Sequence, residues 1–110
     1  MKKILVITPP KFGLTDEELE AFMNRHYKLV YEAGKQLNEV CLRVNWFNFY
    51  DFLKKDTLES KKEYFAACVD TLLDREIDYA LFADGWDKSY ECNILHSIAD
   101  NFNVRIIDMA

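Results

Sequence analysis

Residues 78–99, DYALFADGWDKSYECNILHSIA, pass from one kind of secondary structure to another with almost no chain between them. Tyr79, Ala80, Leu81, Phe82 and Ala83 form an unbroken apolar run of strand length, the pattern of a strand covered on both faces. Asp84-Gly85-Trp86-Asp87 breaks the run, and from Ser89 the apolar residues Ile94, Leu95, Ile98, Ala99 and Phe102 recur at helical spacing. A buried strand that passes through a short polar turn into a helix restricts the chain to folds with parallel strands joined by helices. In open sheets of that kind ligands bind beyond the carboxyl ends of the strands. Asp84, Gly85, Trp86 and Ser89 are therefore candidate ligand-binding residues. Gly85 permits a positive φ, and Asp87 or Ser89 is placed to cap the helix.

The rest of the chain repeats the alternation. Residues 3–8 read as a strand closed by Pro9-Pro10-Lys11-Phe12-Gly13, since proline cannot donate to a central ladder. Thr15 before Asp16-Glu17-Glu18 predicts an N-cap with acids in the first turn. The helix should continue to about Asn38 along Leu19, Phe22, Met23, His26, Val30, Ala33 and Leu37. Residues 40–46 change to period two, with Val40, Leu42, Val44 and Trp46 on one side, which suggests a less buried strand at a sheet edge. Residues 47–55 are rich in aromatics and suit a loop with a helical turn. Thr57 should cap a helix with Tyr64, Phe65, Cys68, Val69, Leu72 and Leu73 as its apolar stripe, ending near Arg75; a last strand covers residues 104–107.

The expected fold is thus α/β: one three-layer, Rossmann-like domain over residues 1–110, with a mostly parallel sheet of four to five strands and helices on both faces. Its strand-end loops gather on one edge, which adds Thr8, Pro9, Pro10 and Trp46 to the candidate ligand residues.

Composition limits the partners. The net charge of −5 comes with Lys and Arg spread along the chain, so nucleic acid is not an expected partner and a small polar ligand is. Cys41, Cys68 and Cys92 are far apart and lack CxxC spacing, which suits reduced thiols in or near the core and a cytoplasmic location. After Met1-Lys2-Lys3 the apolar residues 4–7 are too few for a signal peptide or a membrane span. His26 and His96 read as structural residues. No spacing suggests a metal site, and three glycines without a phosphate loop suggest no dinucleotide; no cofactor is expected.

Two segments, Asp70-Thr71-Leu72-Leu73 and Asp78-Tyr79-Ala80-Leu81-Phe82-Ala83-Asp84-Gly85-Trp86-Asp87-Lys88-Ser89, resemble the nucleoside 2-deoxyribosyltransferase-like superfamily, in particular its small phage and bacterial members. The shared pattern is an Asp, a second Asp about eight residues on, an apolar strand and Gly-Trp-x-x-Ser, over roughly the C-terminal half. The resemblance implies a homodimer or larger assembly and a pocket for a nucleoside or nucleotide. In the family's enzymes it also implies a glutamate on the following helix that attacks the anomeric carbon, a reaction needing a positioned carboxylate and a proton donor for the leaving base. At that position, six residues after Ser89, this chain has Leu95, which cannot attack a sugar.

Glu91, one helical turn earlier on the same face, is the nearest replacement, about 5 Å away along the axis. Asp70 matches the family's first aspartate and is the second candidate catalytic residue. The expected function is binding of a nucleoside, nucleotide or nucleotide-derived molecule without the family's catalysis. The alternatives are an N-glycosidic hydrolase or deoxyribosyltransferase using Glu91, and a small protein-interaction module whose aromatic segment 46–52 meets a macromolecule.

Overall fold

A computed structural model describes residues 1–43, 50–74 and 77–108. The described elements are β1 (Lys2–Ile7), α1 (Asp16–Leu37), β2 (Cys41–Arg43), a 3-10 turn (Tyr50–Lys54), α2 (Leu58–Leu72), β3 (Tyr79–Phe82), a second 3-10 turn (Trp86–Lys88), α3 (Tyr90–Asn101) and β4 (Arg105–Asp108). The strands form one all-parallel sheet in the order β2-β1-β3-β4, an α/β architecture compatible with a Rossmann-like three-layer fold.

Side-chain alternation on the central strands explains the layers. Leu5 and Ile7 of β1 and Ala80 and Phe82 of β3 share one core with Tyr64, Cys68 and Leu72 of α2 and Cys92, Leu95 and Ala99 of α3. Ile4, Val6, Tyr79 and Leu81 face the other way and pack with Val30 and Ala33 of α1. Both faces being covered, β3 is buried at every position, as its continuous apolar run requires.

The caps follow the sequence closely. Thr15 and Glu18 form a reciprocal capping box at the start of α1. Thr57 Oγ1 accepts from Ser60 N, and Ser89 Oγ accepts from Cys92 N. At the end of α1, Asn38 takes the left-handed conformation with φ 53°. The chain then folds back so tightly that a Cβ on Gly34 would lie 2.8 Å from the Glu39 carbonyl oxygen.

The edge strand departs from the period-two reading. It lies at the sheet edge, but Leu42 and Val40 are the exposed residues, at 47% and 67%, whereas Arg43 is 8% exposed. Arg43 pairs in register with Ile4 and so points toward α1, where aromatic rings cover its guanidinium. Val44 and Trp46 lie outside the described residues. No helix among the described residues is long and apolar enough to cross a membrane.

Candidate functional site

In the order β2-β1-β3-β4 the crossover from β1 runs to one side and that from β3 to the other. The loops after β1 and β3 therefore part at their carboxyl ends and leave a crevice. A cavity of about 280 Å³ occupies it. Thr8, Pro9 and Pro10 form the wall after β1; Ser89, Glu91, Cys92 and Leu95 form the wall on α3; Lys61, Tyr64, Phe65 and Cys68 of α2 close the third side. The volume is near the lower end of the range for small-molecule sites, roughly 300–1,000 Å³.

The α3 wall is built from local chain. Gly85 has φ 89°, which lets the strand turn sharply, and Trp86 N donates to the Ala83 carbonyl at 3.2 Å to close the turn. A Cβ on Gly85 would meet only Pro9 Cγ at 3.8 Å, so backbone conformation rather than space selects glycine here. Ser89 caps α3 while its hydroxyl donates to Glu91 Oε2 at 3.3 Å. One turn on, Leu95 is 4% exposed and forms part of the apolar wall. Trp86 does not line the cavity. Its ring stacks on His96 with centroids 4.2 Å apart and planes 3° from parallel, and Phe82 meets it edge-on. The indole thus packs the turn against β3 and α3.

The β1 wall is held by residues from distant parts of the chain. Thr8, 2% exposed, lies just beyond β1 with Oγ1 2.9 Å from His26 Nε2. On the other side of the ring, His26 Nδ1 is 2.9 Å from the Tyr50 hydroxyl. The Arg43 guanidinium lies between two rings, 4.0 Å from the centroid of Tyr27 and 4.6 Å from that of Tyr50, and its Nη2 donates to the Tyr27 hydroxyl at 2.7 Å. Burial, reinforced by the positive charges of Arg43 and Arg25, lowers the His26 pKa to about 3. The imidazole is neutral at physiological pH and has both nitrogens occupied. Its expected structural role on the apolar stripe of α1 agrees with this geometry.

Electrostatics narrow the chemistry available inside. Burial raises the pKa of Cys68 far above the ordinary thiol value, with the neighbouring Cys92 thiol adding to the effect. Cys92 is also raised, chiefly by burial, so neither thiol supplies a ready thiolate nucleophile. Glu91 is the single carboxylate among the described lining residues, and Lys61 the single cation. Lys61 also pairs with Asp56 at 3.2 Å in an exposed contact. No group of three or more His, Cys, Asp or Glu among the described residues is arranged to hold a metal ion.

Of the residues named from sequence, the cavity brings together Thr8, Pro9, Pro10, Ser89 and Glu91, with Leu95 beside them. Asp84 is exposed, Gly85 and Trp86 shape the turn without lining the cavity, and Asp70 is exposed on α2 away from the lining residues. Trp46 lies outside the described residues. The sequence reading did not assign Tyr64, Phe65, Cys68, Cys92 and Lys61 to the site. Tyr64, Phe65 and Cys68 were legible as an apolar stripe, which serves as core and as cavity wall together because α2 packs beside α3. Comparison of the chain with protein-family models, curated proteins and solved structures gives no match.

Proposed function

We propose that the protein binds a nucleoside, nucleotide or nucleotide-derived small molecule in the cavity between the loops after β1 and β3, without breaking its glycosidic bond. The observation that carries this reading is the composition of that cavity. It stands at the sheet's switch point, with Leu95 in its wall at the position where the resembling transferases carry a nucleophilic glutamate. The nucleoside class rests on the resemblance of Asp70 and of residues 78–89 to that superfamily. Glycosidic cleavage ordinarily uses two carboxylates across the scissile bond. Glu91 has no second carboxylate facing it among the described lining residues, and the adjacent thiols are held protonated. Calorimetry against nucleosides, their 5′-monophosphates, cyclic nucleotides and ADP-ribose tests the reading. A bound ligand recovered intact is expected, and absence of binding across the panel contradicts it.

One observation favours a second reading, hydrolysis or deoxyribosyl transfer by Glu91: its carboxylate lines the cavity and accepts from Ser89. Release of free base from deoxynucleosides or their monophosphates, abolished in Glu91→Gln, would establish it in place of the first.

A homo-oligomer belongs to the same proposal, since Leu42 of edge strand β2 and Val40 just before it are uncovered. Light scattering that finds only monomer would remove that part. An intracellular setting fits the three free cysteines.

A further inference from the structure

The hydrogen-bonded chain Tyr50–His26–Thr8 links the Arg43 side of the sheet to the cavity, and its direction is set by chemistry at its two ends. Neutral imidazole offers one donor and one acceptor, so His26 must accept at one nitrogen and donate at the other. At Nδ1 stands a phenol, a stronger proton donor than the aliphatic hydroxyl of Thr8 at Nε2. The Arg43 guanidinium acts in the same sense: a permanent cation 4.6 Å from the Tyr50 ring draws the oxygen lone pairs toward itself and turns the hydroxyl proton away.

We infer that Tyr50 donates to His26 Nδ1 and His26 Nε2–H donates to Thr8 Oγ1, so that Thr8, a lining residue of the cavity, keeps its own proton for an acceptor there. Thr8 makes no other side-chain hydrogen bond among the described residues. Its proton is therefore available to an acceptor oxygen on the ligand, such as a hydroxyl, ether or phosphoryl oxygen. A ligand presenting N–H at that point reaches only the second lone pair of Oγ1 and leaves the Thr8 proton without an acceptor from the ligand, so an acceptor atom is favoured there. Thr8 becomes a specificity-determining residue, with His26 and Tyr50 as positioning residues behind it. The ligand part of this inference rests on the proposed function; the direction of the chain does not.

The test separates the two. Long-range proton–nitrogen correlation spectra of the histidine rings, recorded without ligand at pH 7 and assigned with His96→Gln so that a single imidazole remains, report the His26 tautomer. A protonated Nε2 with bare Nδ1 is expected. A protonated Nδ1, or a mixture of tautomers in exchange, reverses or loosens the chain and overturns the inference, whether or not any nucleotide binds. AMP, dAMP and adenosine then serve as probes for Thr8→Val and Thr8→Ser. Binding should weaken about tenfold or more in Thr8→Val and recover in Thr8→Ser, the effect of one hydrogen bond made and lost. A probe that binds wild type and Thr8→Val equally overturns the role of Thr8. If none of the three binds wild type, the tautomer alone decides the direction, and the proposed function is judged on the full calorimetric panel.

Discussion

The two walls of the cavity are made in opposite ways. The α3 wall is one continuous stretch, in which a strand, a glycine turn, a serine cap and the first turns of a helix deliver Ser89, Glu91 and Leu95. The β1 wall presents Thr8, whose hydroxyl is held by His26 on α1, backed by Tyr50 from a 3-10 turn and Arg43 from the edge strand. The first is stabilised by local backbone geometry and capping, the second by packing and hydrogen bonds between segments far apart in sequence. Damage to the α3 wall should be confined to the turn, whereas damage to the β1 wall should spread through α1 and the sheet edge.

The largest expected effect is on the core that both walls share. Phe82 is fully buried beneath Trp86 and His96, and Phe82→Ala should destabilise the fold by about 3–5 kcal/mol in denaturant titration. A smaller loss, about 1–3 kcal/mol, is expected for Tyr50→Phe, which leaves His26 Nδ1 without its buried partner. If that variant is as stable as wild type, the β1 wall does not depend on its distant supports.

His26 makes the same wall sensitive to acid. Its folded pKa of about 3 lies below the unfolded value near 6.5, so between those values the unfolded chain binds the extra proton. Stability from neutral His26 is fully present above about pH 6.5 and falls as the pH drops toward 3, by up to about 1.4 kcal/mol per pH unit. The comparison is His26→Gln, in which this part of the slope should vanish. An unchanged slope would mean that the ring is not buried neutral. The smallest expected change is at the α3 wall, where Ser89→Ala should remove about 1 kcal/mol through loss of the cap. Amide exchange should quicken in the first turn of α3 and stay unchanged in α1.

The same contrast explains what could be read from the sequence. Thr15, Thr57 and Ser89 were legible as caps, and the run from Tyr79 to Ala83 as a buried central strand, because each signal lies within a few residues of its effect. Leu95 and Glu91 were placed on one helical face by spacing alone, and the cavity has both in its wall. The position of Trp86 was not legible. An aromatic in a polar turn suggested a ligand contact, yet His96, ten residues later on α3, provides a flat partner that draws the indole away from the cavity. Nor did the alternation in residues 40–46 reveal that the polar Arg43 would be buried and the apolar Leu42 exposed. That inversion depends on Tyr27 and Tyr50 enclosing the guanidinium, and no local pattern records it.

A single binding site formed by both walls at the carboxyl ends of β1 and β3 would respond to its ligand as one unit. Backbone amide spectra recorded during titration with the nucleosides, nucleotides and ADP-ribose of the calorimetric panel test it most directly. A binding member should shift Thr8 on one wall and Ser89, Glu91 and Cys92 on the other together, along one saturation curve. Shifts confined to the turn at Asp84 and Trp86, with Thr8 and Cys92 unmoved at saturation, would place binding elsewhere and overturn the single site.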